Sequence, residues 1–597
     1  MERFRETKRK LRFFFIPVGL LLWFCFLEFR LYSLHSGRIE PHNKIVYRRE
    51  TKALRGIIYD RGGNPLAVNQ SGWKVFLDPQ APARQLKDGQ VPPSKEATCR
   101  RISALTGRDY NSVFRDLVTT NVVRRNPDTG LLQTNAPHYV VQGVTWDASA
   151  IDLVTNKTLY VRNVGLEPAQ RRIYPQGRRF AHVVGVTAGT TPSGHIGGIE
   201  QRYDDKLKGA DGFISGERAG DGKEIRERRR STVGAIDGAS VYLTIDHNIQ
   251  RIAYEALAAA VEDWNADGGR VIVEKVDTGE ILAMVSMPDF DPLKWTEAND
   301  LARRNRTIAD QYDPGSTMKA VTVASALNEG IVTPETTYDV GGGQWRYGGG
   351  TLRDHAKGVI DVKTIIAKSS NIGAAKIALD LGNRRFEKYL RDFGFGSRTG
   401  IDLPGEATGT LVPSERWEPI KPTRMAIGQG VSVTPIQMIN AYATIANGGR
   451  RMRPFVMSKI VSQEGVTIQR NLPKVLSTPI TPETAAKMRA MLKGVVMPGG
   501  TARRARIAGY DVAGKTGTAQ IIKPGGGYYD HNHWASFIGF LPADEPIFAV
   551  LVLLDNPTKP GKSHDGGVSA APVFAEIALA TAQYLEIPIE QQDGNND

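Results

Sequence analysis

Cysteine is nearly missing from this sequence: Cys25 and Cys99 are the only two in 597 residues. That excludes a disulfide framework and a cysteine-built zinc site. Cys25 lies in an apolar N-terminal run and Cys99 far outside it, which argues against an intrachain bridge; the count does not by itself identify the compartment. The ten histidines form no His-Glu-x-x-His pattern. His531 and His533 fall in a loop rich in glycine and tyrosine and are read as surface residues, so no metal is implied. No basic motif interleaved with aromatics is present either. The net charge of +14 therefore makes no case for nucleic acid and suits an anionic membrane surface or an anionic substrate.

At 597 residues the chain exceeds one ordinary core and predicts two or more folded units. Hydrophobic residues at 41% and charged residues at 23% are globular proportions, not disordered ones. Residues 1–12 hold Arg3, Arg5, Lys8, Arg9, Lys10 and Arg12 against Glu2 and Glu6. Phe13 to Leu27 is free of charge, and apolar character resumes around Glu28 and Arg30 as far as Leu34. About twenty such residues can cross a bilayer. No small-x-small cleavage site lies between Tyr32 and Glu40, which favours a retained single-pass anchor at 13–34 over a cleaved signal peptide. The basic tail at 1–12 then puts the N-terminus in the cytoplasm and everything past residue 35 outside the inner (plasma) membrane. Glu28 and Arg30 are read as reaching the membrane interface, in preference to meeting a partner's membrane helix.

Residues 35–235 read as strands and loops with no nucleophile constellation. Arg55-Gly-Ile-Ile-Tyr-Asp-Arg-Gly-Gly-Asn-Pro-Leu-Ala67 is a strand entering a tight turn. Arg172-Ile-Tyr-Pro175, Gly198-Ile-Glu200 and a basic run from Arg226 to Arg230, read as solvated surface, follow. Near 236 the character shifts. Val241 to Gln250 leads into a helix through about Trp264, and Val271–Val276 with Ile281–Met287 predict a hairpin. A largely helical middle includes Ile436–Ala446 and Pro482–Val496. After Lys515, Trp534–Leu541 and Ile547–Leu554 read as neighbouring strands and Ala570–Leu585 as a closing helix, with a frayed polar tail at 586–597. Two strands, a helical insert and three more strands predict a mixed α/β domain over 236–585 built on an antiparallel sheet.

The chemistry centres on Gln311-Tyr312-Asp313-Pro314-Gly315-Ser316-Thr317-Met318-Lys319. Pro314 and Gly315 break what precedes them; Met318, Val321, Ala324 and Leu327 then recur at helical spacing up to Gly330. Ser316 is thus expected in the first turn, among free N–H groups at the positive end of the helix. Lys319, three residues on, shares its face, and a hydroxyl beside an amine that can take its proton is an activated nucleophile. Alone this pattern is weak: Ser71-Gly72-Trp73-Lys74 has it too, in a stretch that alternates like a strand. Ser369-Ser370-Asn371 and Lys515-Thr516-Gly517-Thr518 complete a trio whose order and spacing suit one site assembled from distant segments.

With the anchor, the Arg55–Ala67 segment and this trio, the chain resembles a class B penicillin-binding protein over about residues 13 to 585, and within that family the septal, FtsI-like type. Arg304-Asn-Arg-Thr-Ile308, Gly428-Gln-Gly430 with Thr434-Pro435-x-Gln437, and Gly500-Thr-Ala502 fit the same family. Elongation-type relatives usually carry aspartate where this chain has Asn371. No C-terminal repeats of the kind many Gram-positive division members append are visible, and residues 35–235 show no paired catalytic-glutamate motif of a glycosyltransferase.

The resemblance implies a serine penicillin-recognising domain with a five-stranded antiparallel sheet flanked by helices, preceded by a β-rich, non-catalytic pedestal of dimerisation type at 35–235. It implies a peptidoglycan D,D-transpeptidase acting on stem peptides that end in D-Ala-D-Ala. Ser316 would attack the penultimate D-Ala carbonyl, and Lys319, its pKa lowered by burial and by the nearby charge of Lys515, would take the proton. Ser369 would relay a proton to the leaving amine, and Asn371 would hold Lys319 and the substrate amide. Lys515, Thr516 and Thr518 would bind the terminal carboxylate, while Gly517 leaves room for the peptide. The oxyanion would lie between the Ser316 and Thr518 amides. No cofactor is implied; the implied partners are stem peptides, β-lactams, the inner membrane, an FtsW-like glycosyltransferase of the SEDS type and other division proteins. Rival readings are an elongation-type member, a D,D-carboxypeptidase or β-lactamase, a β-lactam sensor, and a division scaffold.

Overall fold

The computed structural model describes residues 17–32, 45–78, 94–118, 122–125, 132–135, 139–155, 164–187, 194–218, 224–522 and 528–589. The basic tail at 1–12, the two ends of the expected anchor and residues 590–597 lie outside them. Residues 17–32 are helical, with Leu20, Leu21, Leu22, Trp23, Phe24, Phe26 and Phe29 all exposed. Among the described residues no helix is long and apolar enough to cross a membrane.

Chain contacts define two compact units, one of 1–54 with 208–238, the other of 55–207 with 239–597. In the first, Ile45–Thr51, Gly212–Arg218 and Glu224–Val233 form an antiparallel sheet with the 212–218 strand in the middle. Asp211 ties its end together, accepting from the Ala53 amide at 2.9 Å and from Lys52 at 2.6 Å. Arg229 and Arg230, at the end of the basic run, are exposed on the last strand.

In the second unit the segment Ser71–Lys74 lies inside the strand Pro65–Leu77, as its alternation predicts, and Lys74 pairs with Glu167 at 3.4 Å. Three sequence motifs of this region meet at one buried carboxylate. Glu200 accepts from Arg55 Nε at 2.6 Å and from Arg172 Nε at 2.7 Å, and Arg55 also reaches Asp204 at 2.6 Å. Glu200 is fully buried, and a buried charge left without such partners is strongly destabilising.

The larger core is built on five strands: β1 (Gly268–Lys275), β2 (Ile281–Met287), β3 (Ala513–Ile522), β4 (Tyr528–Leu541) and β5 (Phe548–Asp555). Their order is β2-β1-β5-β4-β3, and every neighbouring pair is antiparallel. The expected hairpin is present, one of the expected strands starts earlier, and β3 is an edge. Helices α1 (His247–Asp263) and α6 (Ala570–Tyr584) pack on each other and on the sheet; α4 (Pro435–Ala446) crosses β1, β4 and β5. Covered strands read as unbroken apolar runs, and all of Phe548–Asp555 is buried. Before α4 in the chain come α2 (Met318–Asn328) and α3 (Asn371–Leu381), which pack together, and after it α5 (Pro482–Lys493). Pro482 to Val496 was expected to be helical; Gly494 caps the helix early.

The segment leading to Ser316 is fastened to the sheet by charge. Arg270 on β1 and Arg306 both bind Asp310 and Asp555; Arg306 does so at 2.7 Å in each case. Burial raises the Asp310 carboxyl, but Arg270 and Arg306 more than offset that and hold it below the usual carboxylate range. A carboxyl lowered in the folded state stabilises above its unfolded pKa and loses that contribution as pH falls through the folded one. Asp310→Asn should therefore cost about 3 kcal/mol in urea unfolding at neutral pH. The gap to wild type should narrow as pH drops below about 4; equal stability at neutral pH would refute the role given to this cluster.

Candidate active site

Ser316 sits in a short 3-10 turn, Gly315–Thr317, that runs directly into α2. From Tyr312 to Leu327, Ser316 is the one residue that is not buried. Expectation and structure agree on the first turn but differ on the helix behind it. Its whole circumference is buried, Lys319, Thr322 and Ser325 included, so this is a core helix and not an amphipathic one. Several contacts fix the turn. Thr317 Oγ1 donates to Pro314 O at 2.7 Å, Tyr442 OH to Thr317 O at 2.8 Å, and the Gly430 amide to Asp313 Oδ2 at 3.0 Å. Gly428 is pressed on the turn so closely that a Cβ there would stand 2.2 Å from Gly315 O, at a backbone φ of +75°. The Gly428-Gln-Gly430 motif is thus the support of the Ser316 turn.

Lys319 has no exposed surface. Its Nζ donates to Ser369 O at 2.6 Å, Ser369 Oγ at 3.1 Å and Asn371 Oδ1 at 2.7 Å; Ser316 is not among these partners. Burial lowers its pKa from 10.5 to about 7, against an opposing pull from Asp354. The charge of Lys515 is not what lowers it, as the sequence had suggested. The effect runs the other way: burial first, then the positive Lys319, holds Lys515 well below its ordinary value. Ser369 reaches Lys319 with both oxygens by adopting φ +58°, a left-handed conformation costing roughly 1–2 kcal/mol for a non-glycine residue.

What holds that loop is Asp354, a residue the sequence reading missed. Its carboxylate accepts from Ser370 Oγ and from the Ile372 amide at 3.0 Å, while Ser370 Oγ caps α3 by accepting from the Gly373 amide at 3.0 Å. Asn371 uses both ends of its amide, since Nδ2 donates to Arg353 O at 2.8 Å. No spacing rule links residue 354 to 369–371; it follows a glycine-rich stretch and arrives by tertiary folding.

β3 supplies the opposite wall. Lys515 is fully buried and makes only long contacts, 3.3 Å to Thr516 Oγ1 and 3.4 Å to Thr516 O. Thr516 Oγ1 lies 3.1 Å from Thr501 Oγ1, which brings the Gly500-Thr-Ala502 motif to the site, and Thr518 is exposed. Gly517 was expected to leave space for a peptide. The structure assigns it another reason: a Cβ would stand 2.4 Å from Ser536 Oγ and 3.0 Å from Pro314 O, so glycine lets β3 lie against the Ser316 turn. Gly566, also unforeseen, donates its amide to Thr518 Oγ1 at 3.3 Å. The trio is therefore one site, with Ser316 and Thr518 open to solvent and two lysines behind them. Among the described residues no histidine, cysteine and carboxylate cluster could hold a metal ion.

A family profile described as the penicillin binding protein transpeptidase domain matches residues 269–579, and one described as the penicillin-binding protein dimerisation domain matches 50–243. The chain is 30% identical over 561 residues to the peptidoglycan D,D-transpeptidase FtsI of Escherichia coli, covering 92% of this chain and 88% of that one. It is 34% identical over 528 residues to stage V sporulation protein D of Bacillus subtilis, covering 88% and 77%. Among solved structures, penicillin binding protein 3 of Mycobacterium tuberculosis in complex with aztreonam aligns with a TM-score of 0.67 at 27% identity, covering 91% of this chain and 98% of its own.

A lysine that acts as a base must be neutral, so a value of about 7 has a direct kinetic consequence. Acylation of the protein by a penicillin should rise about tenfold per pH unit up to about pH 7 and level off above it. A flat profile between about pH 5 and about pH 8 would exclude Lys319 as the group that takes the proton.

Proposed function

The chain belongs to the class B penicillin-binding proteins and is a peptidoglycan D,D-transpeptidase, and from that premise we propose a serine acyl transfer carried by Ser316, in septal wall synthesis. The observation that carries the mechanism is the buried Lys319 side chain, its Nζ held by Ser369 and Asn371 behind a half-open Ser316. Neutral Lys319 takes the Ser316 proton while Oγ bonds to the penultimate D-Ala carbonyl carbon. The C–N bond to the terminal D-Ala breaks, its nitrogen receives the proton through Ser369, and D-Ala leaves. An amine of a second stem peptide then attacks the acyl-enzyme and restores the Ser316 hydroxyl. The amides of Ser316 and Thr518 form the oxyanion hole, whose loss of one donor typically costs about a hundredfold or more. Lys515, Thr516 and Thr518 bind the substrate's terminal carboxylate, whose negative charge favours the ammonium form of Lys515 that burial and Lys319 oppose.

The septal assignment rests on Asn371. Its amide both accepts from Lys319 and donates to Arg353 O, a pair of roles a carboxylate cannot fill. The exposed apolar helix at 17–32, following a basic tail, supports a single-pass membrane anchor with the catalytic part outside the cytoplasm. The region 35–235 serves as the pedestal, and a SEDS-type, FtsW-like glycosyltransferase with other division proteins is the partner set.

Incubating the purified chain with a fluorescent penicillin should give a long-lived covalent adduct that disappears in Ser316→Ala; rapid hydrolysis instead would indicate a β-lactamase. Asn371→Asp should lower the acylation rate by roughly tenfold or more, because a second negative charge beside Asp354 keeps Lys319 protonated. Complementation of a division defect by Ser316→Ala would overturn the enzymatic reading in favour of a scaffold.

A further inference from the structure

Away from the acylation site, a glutamate and an asparagine are enclosed together where α4 crosses the sheet. Glu274 is fully buried on β1, an inner strand between β2 and β5, and Asn440 is buried on α4. Asn440 Nδ2 donates to Glu274 Oε1 at 2.8 Å and to Met452 O at 2.9 Å. A backbone carbonyl only accepts, so Met452 fixes which end of the amide is Nδ2, and both of its hydrogens are used. Glu274 Oε2 and Asn440 Oδ1 are left, both enclosed and neither with a hydrogen-bond partner among the described residues.

Among the described residues no cation is paired with Glu274. Neither α4 nor β2 carries a charged side chain. On β1 and β5 the charges are engaged with one another or outward: Arg270 and Arg306 with Asp310 and Asp555, and Lys275 with Asp277. Beside Met452, Arg451 donates to Ser477 and Arg453 to Asn471, and Glu280, just ahead of β2, meets Arg61. A carboxylate with one hydrogen bond and no counter-charge in such surroundings takes up a proton. Burial accordingly raises the Glu274 carboxyl from 4.5 to about 8, against the pull of the Asn440 amide. The proton makes Oε2 a donor, and the oxygen of its own partner, Asn440 Oδ1, is the acceptor that lacks one. Two residues along α4, Tyr442 donates to Thr317 O at 2.8 Å, next in the chain to Ser316.

We propose that Glu274 stands as a neutral acid paired with Asn440 and is a positioning residue for Ser316: the pair seats α4 on the sheet, α4 holds Tyr442 on the Ser316 turn, and ionisation of Glu274 loosens that hold. The inference rests on the reading of Ser316 as the acylated serine. An anion at 274 faces Asn440 Oδ1 with no hydrogen between them, a repulsion that pushes strand and helix apart. Glutamine reproduces the neutral pair at every pH, its Oε1 accepting and its Nε2 donating in place of the acid's proton. Tyr442 is held well above the usual phenol value by burial and stays protonated where Glu274 ionises.

The test measures benzylpenicillin acylation of the full-length purified protein between about pH 6 and about pH 9, in wild type and Glu274→Gln, each with and without Tyr442→Phe. The rate of Glu274→Gln divided by that of wild type should be about one near pH 7 and about ten near pH 9, where about nine-tenths of Glu274 is ionised. The ratio cancels the titration of Lys319 and Lys515, which both proteins share. In the Tyr442→Phe background it should stay within about twofold throughout, because the contact through which Glu274 acts is gone. A ratio near one at about pH 9, or a tenfold gain that persists without the Tyr442 hydroxyl, would overturn the inference. So would a Glu274→Gln protein already slow near pH 7, which would show that the anion is the form required. Failure of penicillin to acylate the wild type would instead strike the reading of Ser316, and urea unfolding then decides the pair. The folded chain keeps a proton that the unfolded one releases, so the unfolding constant of wild type relative to Glu274→Gln should rise about tenfold per pH unit from about pH 5 to about pH 8. A constant ratio there would overturn the neutral acid.

Discussion

An amine enclosed away from water is the constraint on which this structure depends. Lys319 lies inside a helix buried on every side, and solvation there is replaced by oxygens from a loop fifty residues away. Burial makes the neutral amine accessible near physiological pH, and the oxygens keep the charged form from being prohibitive. Ser369 holds a left-handed backbone conformation to supply two of those oxygens, and Asp354 holds Ser370 and Ile372 so that the conformation persists. Local strain of this kind survives only where the surroundings over-determine it.

The second requirement is close approach of three chain segments with little side-chain volume between them. Strand β3 lies on the turn of Ser316 because Gly517 has no side chain to meet Ser536 and Pro314, and the turn in turn rests on Gly428. Hydroxyls and amides that would otherwise be separated by a methyl group are thereby brought to one cleft. Rigid fastening behind them is electrostatic. Arg270, Arg306, Asp310 and Asp555 join the segment before Ser316 to the centre of the sheet, where an unpaired charge would be costly. In the 55–207 region the same device ties Arg55 and Arg172 to Glu200.

Much of the site was legible in the chain because its three motifs obey short-range rules. A Ser-x-x-Lys after Pro-Gly must lie on one helix face, and Ser369-Ser370-Asn371 with Lys515-Thr516-Gly517-Thr518 follow it as recognisable short motifs. The hairpin at 268–287, the buried strand at 548–555 and the closing helix at 570–584 were readable for the same reason, as unbroken apolar runs with turn residues between them. Asp354, Gly566 and the support role of Gly428 were not readable, since each acts across a separation that no periodicity spans.

The sequence by itself determined that Ser316 and Lys319 share the start of one helix, and the succession of strands and helices, because those follow from local sterics and from where apolar side chains recur. The tertiary structure alone decided which way charge acts within the site. Lys319 is lowered by enclosure, Lys515 by enclosure and then by Lys319, and a carboxylate at 354 opposes the first of these. Desolvation and Coulomb interaction depend on distance and surroundings in space, quantities that the order of residues along a chain does not contain.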